Sequence, residues 1–408
     1  MKKYDFDEVI DRHGSGCTKL DDLRALFGRE NLKALWIADM DFRVCPEITD
    51  ALQQRIAHPI YGYSRPCESY WESIIGWLDR RHGFNVHRDE LTFVPGVVKG
   101  IAFAINFFTR PGDKVVIQPP VYHPFRMVIE GNERIVAPNP LRRTPDGSYE
   151  MDLEGLERVF ATEHPRMMVL CNPHNPIGLQ WERATLEQVG ILAKKYGVLV
   201  LSDEIHGDLM LRHRPHYPFA ACGDACAEVS VTFGAPSKTF NIPGLVSSWC
   251  VIKNPEIRKP FFYWLEVNEF NATTFVSTIG TEAAYTKGEP WLEEALEYIE
   301  GNIDAMEAFI ASRLPGLRMV RPQASFLVWM DFNGLGLGHE QLVDLVVNRA
   351  GLALNDGEMF GAEGHGFMRV NVATPRSELI EALERLESAL DVNACEKAGA
   401  QAEAAPGE

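Results

Sequence analysis

The sequence of 408 residues lacks the features that mark several protein classes. Its eight cysteines include no Cys-x-x-Cys pair, so neither a zinc knuckle nor a dense disulfide framework is expected, and free thiols in a reducing compartment are favoured. The longest mostly apolar run, near residues 101–108, is far shorter than the roughly twenty residues needed to span a bilayer. No apolar segment follows Lys2 and Lys3, so we expect no signal peptide and predict a cytoplasmic protein.

Positive charge is also scarce. Forty Lys and Arg residues against 57 Asp and Glu residues give a formal net charge of −17, and no basic stripe is present, so binding to nucleic acid or to an anionic membrane is not expected. No Gly-x-Gly-x-x-Gly follows an early strand, which counts against a nicotinamide-dependent dehydrogenase. With 46% hydrophobic residues, the composition is that of a folded enzyme with a large core.

Between residues 90 and 255, short apolar runs alternate with helical patterns. Because both faces of such strands are apolar, the runs indicate parallel strands buried on both sides. The pattern predicts an α/β fold with a mostly parallel sheet and helices on both faces. The predicted strands are Leu91–Val94, Lys114–Gln118, Arg166–Cys171, Val198–Ser202, Val229–Phe233 and Ser248–Ile252, with one helix at Thr185–Lys195.

After residue 285 the pattern changes to that of a smaller α+β domain. A long helix begins at Glu289 and ends at Leu314, and a last helix follows Pro375. Strands are predicted at Ser325–Met330 and Phe367–Val372. The predicted organisation is an N-terminal segment 1–45 that joins the small domain, a large ligand-binding domain 46–285, the small C-terminal domain 286–392, and a disordered tail 393–408 that has no large apolar residue.

Four predicted strands end in residues with distinctive chemistry. The carboxyl ends of parallel strands meet at one edge of a sheet, where α/β proteins bind ligands. A helix start offers free amides to phosphate, an aspartate can hold a buried cation, and a buried lysine can form a Schiff base with a carbonyl. In chain order the four ends supply a helix start, an amide, an aspartate and a lysine: Gly96-Val97-Val98, Asn175, Asp203 and Lys238.

This order resembles the aspartate-aminotransferase superfamily (fold type I) of pyridoxal-phosphate enzymes, over about residues 1–392. The resemblance implies that pyridoxal 5′-phosphate is the cofactor and that 46–285 is its binding domain. It implies that Lys238 bonds covalently to the cofactor, that Asp203 pairs with the pyridinium nitrogen, and that Asn175 binds the phenolic oxygen.

The same resemblance assigns the cofactor phosphate to the helix start, Gly96, Val97 and Val98, and to Ser237. Ala235 departs from the pattern, because superfamily members commonly carry a phosphate-binding hydroxyl at this position. His206 stands where aspartate aminotransferase has a tyrosine that binds the phenolic oxygen. Two roles remain open for it, one beside the cofactor and one as a structural histidine behind it.

A narrower resemblance is to the cystathionine β-lyase/cystalysin branch, which also includes the maltose-regulon modulator of enteric bacteria. It implies that Tyr122 stacks on the cofactor ring and that Tyr63 reaches the phosphate of the neighbouring subunit, hence a homodimer with shared sites. It also implies that Arg369 binds the substrate α-carboxylate, which suits a bidentate guanidinium, and that Ala38 lies beside the substrate. The resembling segments are Asp11–Gly14, Ala38–Phe42, Tyr61–Ser64, Ser202–His206, Ser237–Pro243 and Gly366–Asn371.

The branch resemblance implies a carbon–sulfur β-lyase of sulfur amino acid metabolism. Its small-molecule substrate would be cystathionine, cystine or a related S-substituted cysteine, cleaved to a thiol, pyruvate and ammonia. Lys238 would take the Cα proton while the cofactor accepts the electrons, and no metal-binding residue is predicted. Two alternatives remain open: an aminotransferase with the same site, and a regulatory interaction protein that retains the cofactor.

Overall fold

The structure, a computed structural model, describes the backbone of residues 3–403 and the side chains of residues 3–391. No helix in this described part is long and apolar enough to cross a membrane. The strands are β1 (Lys33–Ala34), β2 (Leu91–Val94), β3 (Lys114–Ile117), β4 (Ile135–Pro138), β5 (Arg142–Arg143), β6 (Tyr149–Glu150), β7 (Met167–Cys171), β8 (Leu199–Asp203), β9 (Ser230–Gly234), β10 (Ser248–Val251), β11 (Arg318–Val320), β12 (Leu327–Asp331), β13 (Leu352–Ala353), β14 (Asn355–Asp356) and β15 (Phe367–Asn371).

The α-helices pack on these strands, and short 3₁₀ turns connect several of the elements. The helices are α1 (Thr18–Asp21), α2 (Leu23–Phe27), α3 (Pro46–Ile56), α4 (Glu68–His82), α5 (Val97–Phe108), α6 (Pro124–Glu130), α7 (Leu153–Glu163), α8 (Arg183–Tyr196), α9 (Asp224–Val229), α10 (Pro236–Thr239), α11 (Pro255–Val267), α12 (Phe275–Lys287), α13 (Glu289–Arg313), α14 (His339–Val343) and α15 (Arg376–Glu403).

The central sheet has the strand order β2-β10-β9-β8-β7-β3-β4. All six predicted strands are present in it, and the α/β class is confirmed. The edge strand β4 was not predicted, because its residues are mostly exposed or half-buried and give no continuous apolar run. At the centre of the sheet both faces are covered. Alternate residues of β7 pack into two separate cores, with Met168 against the α7 and α8 side and Val169 against the α5, α6 and α11 side.

One strand differs from the parallel prediction. Strand β10 runs antiparallel to both of its neighbours, β2 and β9. The parallel assignment was wrong because the segment joining β9 to β10 contains only α10 and a 3₁₀ turn at Pro243–Leu245, with no helix crossing the sheet. A parallel return requires such a crossover. As a result Ser248, the first residue of β10, pairs with Val94 at the carboxyl end of β2.

A second, antiparallel sheet has the order β11-β12-β15-β14 and packs against α13 and α15. The N-terminal segment reaches it through β1, which pairs with β13, and through the Asn371 N–H, which donates to the Leu35 carbonyl at 2.8 Å. The proposed domain boundaries remain a prediction. Helix α15 is described to Glu403, inside the segment predicted as a disordered tail, and residues 404–408 lie outside the described residues.

Candidate active site

A cavity of about 240 Å³ lies at the carboxyl ends of β2, β7, β8 and β9. Because β10 is reversed, its amino end also reaches this edge of the sheet. The cavity brings together ten of the residues predicted from the sequence: Ala38, Gly96, Val97, Val98, Tyr122, Asn175, Asp203, His206, Ser237 and Lys238.

Lys238 lies on the short helix α10 and is partly exposed to the cavity. Its Nζ donates a hydrogen bond to the carbonyl oxygen of Ala38. Desolvation by the surrounding protein lowers the pKa of Lys238 to about 8; the Arg369 guanidinium lowers it as well, while Asp39 acts in the opposite direction. Near neutral pH a larger fraction of this amine is therefore neutral, and able to accept a proton, than in an exposed lysine.

The Ala38 segment is held against Lys238 by Asn241, which follows α10. The Met40 N–H donates to Asn241 Oδ1 at 2.9 Å, and Asn241 Nδ2 donates back to the Met40 carbonyl at 3.0 Å. On the other side, Arg12 donates to Asp39 Oδ2 at 2.5 Å. Arg12 and Asn241 belong to two of the segments that resemble the lyase branch, Asp11–Gly14 and Ser237–Pro243. The structure explains these two segments, because both anchor the stretch of chain that faces Lys238.

Asp203, the last residue of β8, is almost fully buried at the bottom of the cavity. Burial raises the pKa of its carboxyl to about 7, although the Ile205 N–H donates to Oδ1 at 3.1 Å and the Lys238 charge opposes the rise. The Ile205 hydrogen bond and the Lys238 charge do not fully replace the hydration that a carboxylate loses in this buried position. The carboxylate is therefore suited to pair with a cationic N–H group of a bound molecule.

The start of helix α5 forms the anion-binding part of the cavity. Gly96 has φ +111°, and a Cβ there would point into open space, so the chain turns without a side chain at the cavity wall. The first amides of α5, including those of Val97 and Val98, have no acceptor within the helix and are free for phosphate. Ala235 is buried and offers no hydroxyl.

Hydroxyls that the sequence analysis missed line the same cavity. Ser247 and Ser248 reach it from the start of β10. Ser247 is fixed by a 2.6 Å hydrogen bond between its Oγ and Thr281 Oγ1. The parallel assignment of β10 would place both serines at the opposite edge of the sheet, so nothing in the local sequence connected them with the site.

Asn175 lies in the loop after β7 of the central sheet, whereas Arg369 lies on β15 of the second sheet, and both are buried. Arg369, on β15, donates from Nη1 to Asn175 Oδ1 at 2.9 Å and from Nη2 to Asn355 Oδ1 at 2.6 Å. Burial lowers the pKa of Arg369 to about 10, so the guanidinium stays charged at neutral pH. Asn355 was not identified from the sequence, because a polar residue on a two-residue strand carries no specific signal.

Gly178 explains how the Asn175 loop reaches the second sheet. It has φ +68°, and a Cβ there would lie 2.6 Å from the Cβ of Pro322. Its carbonyl accepts from the Gln323 N–H at 2.7 Å. A larger residue would push the two sheets apart at the position where Arg369 meets Asn175.

His206 is buried beside Lys238 and Asp203, and within the described residues its Nδ1 has no hydrogen-bond partner. Burial lowers the pKa of His206 to about 3, so the imidazole is neutral. Tyr122 lines the cavity, and burial raises the pKa of its phenol. Tyr63 does not join these residues: it lies outside the cavity lining, and its side chain is fully exposed.

Nearly the whole chain is similar to known proteins of one family. Cystathionine beta-lyase PatB of Bacillus subtilis (strain 168) is 42% identical over 385 residues, which cover 94% of this chain and 99% of the relative. Protein MalY of Escherichia coli (strain K12) is 33% identical and covers 95% of this chain and 99% of its own length.

Solved structures agree with the sequence relatives. The crystal structure of cystalysin from Treponema denticola, which contains pyridoxal 5′-phosphate, matches 95% of this chain and 99% of its own with a TM-score of 0.90 and 32% identity. The pyridoxal-phosphate-bound C-S lyase from Staphylococcus hominis matches 95% of this chain and 98% of its own, with a TM-score of 0.88 and 29% identity. The family described as aminotransferase class I and II matches residues 34–386. The chain belongs to this aminotransferase class I and II family.

Proposed function

We propose that this protein is a pyridoxal-phosphate-dependent carbon–sulfur β-lyase that cleaves cystathionine, cystine or a related S-substituted cysteine to a thiol, pyruvate and ammonia. The structural observation that carries the proposal is that Lys238 and Asp203 line the same cavity. Burial there lowers the pKa of the Lys238 amine to about 8 and raises the pKa of the Asp203 carboxyl to about 7. The names of the relatives, cystathionine beta-lyase and C-S lyase, support the reaction.

The residues of the cavity fit pyridoxal phosphate. The buried carboxylate of Asp203 lacks a full counter-charge, and the pyridinium N–H of the cofactor would supply it. The free amides at Val97 and Val98, next to the open space beside Gly96, suit the phosphate. Asn175 has its Oδ1 engaged by Arg369, which leaves its amide N–H groups to donate to the phenolic oxygen.

The proposed mechanism assigns two tasks to Lys238. When bound, the cofactor supplies the electron sink that stabilises negative charge at the substrate Cα. The neutral Nζ of Lys238 takes the Cα proton, and its lowered pKa keeps the amine available for this step near neutral pH. The proton then held on Nζ is available to the sulfur that leaves from the β-carbon.

Arg369 orients the substrate in this proposal. Its charged, planar guanidinium matches an α-carboxylate, and Asn175 and Asn355 hold it in place. Because Arg369 comes from the second sheet and Lys238 from the first, the substrate would lie between them. This placement directs the Cα–H bond towards the lysine.

The proposal is tested with the purified enzyme carrying its cofactor and L-cystathionine as substrate. We expect pyruvate and ammonia to form in equal amounts and a free thiol to appear at the same rate. A parallel assay supplies 2-oxoglutarate and detects keto acids formed without ammonia. Keto-acid formation with no pyruvate would contradict the lyase and favour an aminotransferase, and absence of both reactions would favour a regulatory protein that retains the cofactor.

We also propose that two copies of the chain share their active sites. Tyr63 is fully exposed, and the neighbouring Ile60 and Tyr61 are exposed as well, which leaves an apolar surface on this segment. The branch resemblance assigns Tyr63 to the phosphate of a second subunit. A homodimer would both cover this surface and complete the phosphate site.

A cytoplasmic location is part of the same proposal. The described cysteines, Cys17 to Cys250, are all free thiols, which agrees with a reducing compartment.

A further inference from the structure

Side chains from α14, from the 3₁₀ turn after β14 and from the loop before β15 meet in one cluster: His339, Glu358 and His365. Within the described residues they form a group in which one ligand atom from each lies within 4.8 Å of the others. His339 is the first residue of α14, and Glu358 lies in the 3₁₀ turn Gly357–Phe360. All three side chains are partly exposed, between 32% and 56%, although the Nδ1 atom of His339 is itself buried.

The distances in this group suit a divalent transition metal. His339 Nδ1 lies 3.3 Å from Glu358 Oε1, and His365 Nδ1 lies 2.7 Å from the same oxygen. Tetrahedral zinc with bonds of about 2.0 to 2.1 Å places its ligand atoms about 3.3 Å apart. Small rotations of three partly exposed side chains would bring the group to that geometry. Two imidazoles and one carboxylate are a known zinc ligand set that leaves a position for water.

A second observation points in the same direction. The Nδ1 atom of His339 is buried, and among the described residues it has no hydrogen-bond partner. The other ring nitrogen of His339, Nε2, lies 3.3 Å from Asp356 Oδ2. A histidine that binds a metal commonly directs its second nitrogen to a carboxylate, which fixes the tautomer and orients the ring. Asp356 therefore lies where a supporting carboxylate is needed, and Nδ1 lies 3.3 Å from Glu358 Oε1 without forming a hydrogen bond.

We propose that His339, Glu358 and His365 bind one divalent transition metal ion of the zinc class, with Asp356 orienting His339. The site is separate from the Lys238 cavity, and none of its residues lines that cavity. The sequence analysis predicted no metal-binding residue, and the spacing 339, 358 and 365 matches no compact metal-binding motif that would have revealed this cluster.

The position of the ion would connect it to the substrate side of the protein. Asp356 follows Asn355, which accepts a hydrogen bond from Arg369, and Phe360 ends the turn that contains Glu358. The Phe360 ring lies 4.9 Å from the Arg369 guanidinium carbon. A bound ion would therefore immobilise the turn that packs against Arg369.

The test uses the full, tag-free chain with its cofactor bound, stripped of metal by a chelator and dialysed. Zinc chloride is titrated in, and binding is followed by equilibrium dialysis with elemental analysis. We expect one zinc ion per chain, and slower hydrogen–deuterium exchange of residues 356–365 once zinc is present. Neither measurement depends on catalytic turnover, so the outcome is independent of the proposed function.

Matched variants identify the ligands. His339→Gln, Glu358→Gln and His365→Gln should each weaken zinc binding at least about a hundredfold, and Asp356→Asn about ten- to a hundredfold. Asparagine can keep the hydrogen bond that Asp356 Oδ1 accepts from the Glu358 N–H, so this variant preserves the turn. His164→Asn, which changes an exposed histidine outside the cluster, should bind zinc as the parent does.

Two results would overturn the proposal. One is a zinc dissociation constant above about 1 mM for the parent chain, which would mean that only polar contacts among the three side chains hold the cluster together. The other is zinc binding that is equally tight in the His339→Gln and His365→Gln variants, which would place the ion elsewhere. Circular dichroism of each variant establishes that it is folded before its binding is compared.

Discussion

Arg369 Nη1 and Asn175 Oδ1 form a 2.9 Å hydrogen bond that joins the two sheets of the protein inside the candidate active site. The bond connects the side chain proposed to hold the substrate carboxylate with the one proposed to hold the phenolic oxygen of the cofactor. Substrate binding and the position of the cofactor ring are therefore expected to influence each other. Loss of either partner would leave a buried polar group unpaired.

The first prediction concerns this bond. Arg369→Lys should lower kcat/KM for L-cystathionine about tenfold to a hundredfold, mainly through a higher KM, because an ammonium cannot bind a carboxylate and two amides with the same fork geometry. Steady-state kinetics of pyruvate release measures the change. Arg318→Lys, on an exposed position of β11, is the matched control and should behave as the parent does. An unchanged KM in Arg369→Lys would remove Arg369 from the substrate site.

Replacement of the lysine tests the proposed chemistry. Lys238→Ala should remove the visible absorption band of the bound cofactor and lower pyruvate production by at least about a hundredfold to ten-thousandfold, since the variant lacks both the covalent anchor and the base. Absorption spectra and the pyruvate assay measure the two effects. Lys195→Ala, an exposed lysine on α8, should retain both properties. Near-normal turnover by Lys238→Ala would contradict the assignment.

Asp203→Asn should have opposite effects on activity and on stability. With cofactor bound, turnover should fall, because a neutral amide cannot hold the pyridinium proton, while phosphate contacts still retain the cofactor. In the cofactor-free protein the same change should increase the free energy of unfolding at pH 8 by on the order of a few kcal/mol, because the parent must bury a carboxylate.

The raised pKa of Asp203 makes the difference in the free energy of unfolding between the parent and Asp203→Asn depend on pH. Burial shifts the pKa of Asp203 from 3.8 to about 7, so the folded chain holds this proton more tightly than the unfolded chain does. The parent therefore loses stability as pH rises from about 4 to about 7, and the variant does not. Thermal unfolding measures the stability of the parent and of Asp203→Asn at pH 5 and at pH 8. The variant should exceed the parent in stability by less at pH 5 than at pH 8. An equal stability difference at pH 5 and pH 8 would contradict the inference that the Asp203 carboxyl is buried and protonated.

The proposed homodimer is tested by complementation. Tyr63→Ala and Lys238→Ala, each impaired alone, should regain activity when the two proteins are mixed and allowed to exchange subunits. In a mixed dimer one site carries both changes and the other carries neither, so up to one native site per dimer returns. Sedimentation establishes the oligomeric state at the assay concentration. A chain that is fully active as a monomer would rule out a shared site.

Much of the site could be predicted because its chemistry is local. Each of Gly96, Asn175, Asp203 and Lys238 lies at or just after the end of a buried strand with a clear apolar signal, and the carboxyl ends of those strands meet by the geometry of a parallel sheet. The strand boundaries themselves were predicted to within two residues for the same reason. Residues outside this pattern were missed: Ser247 and Ser248 depend on the reversal of β10, and Asn355 lies on a two-residue strand.

By itself the sequence determined the fold class, the strands of the central sheet and the order of the residues at their ends, because these depend on short-range patterns of apolar and polar side chains. The tertiary structure decided the direction of β10, the hydrogen bond between Arg369 and Asn175, and the meeting of His339 with Glu358 and His365. Arg369 and Asn175 are 194 positions apart. Contacts of this kind arise only when whole elements pack to bury their apolar faces, and no local pattern in the chain records which distant side chains that packing brings together.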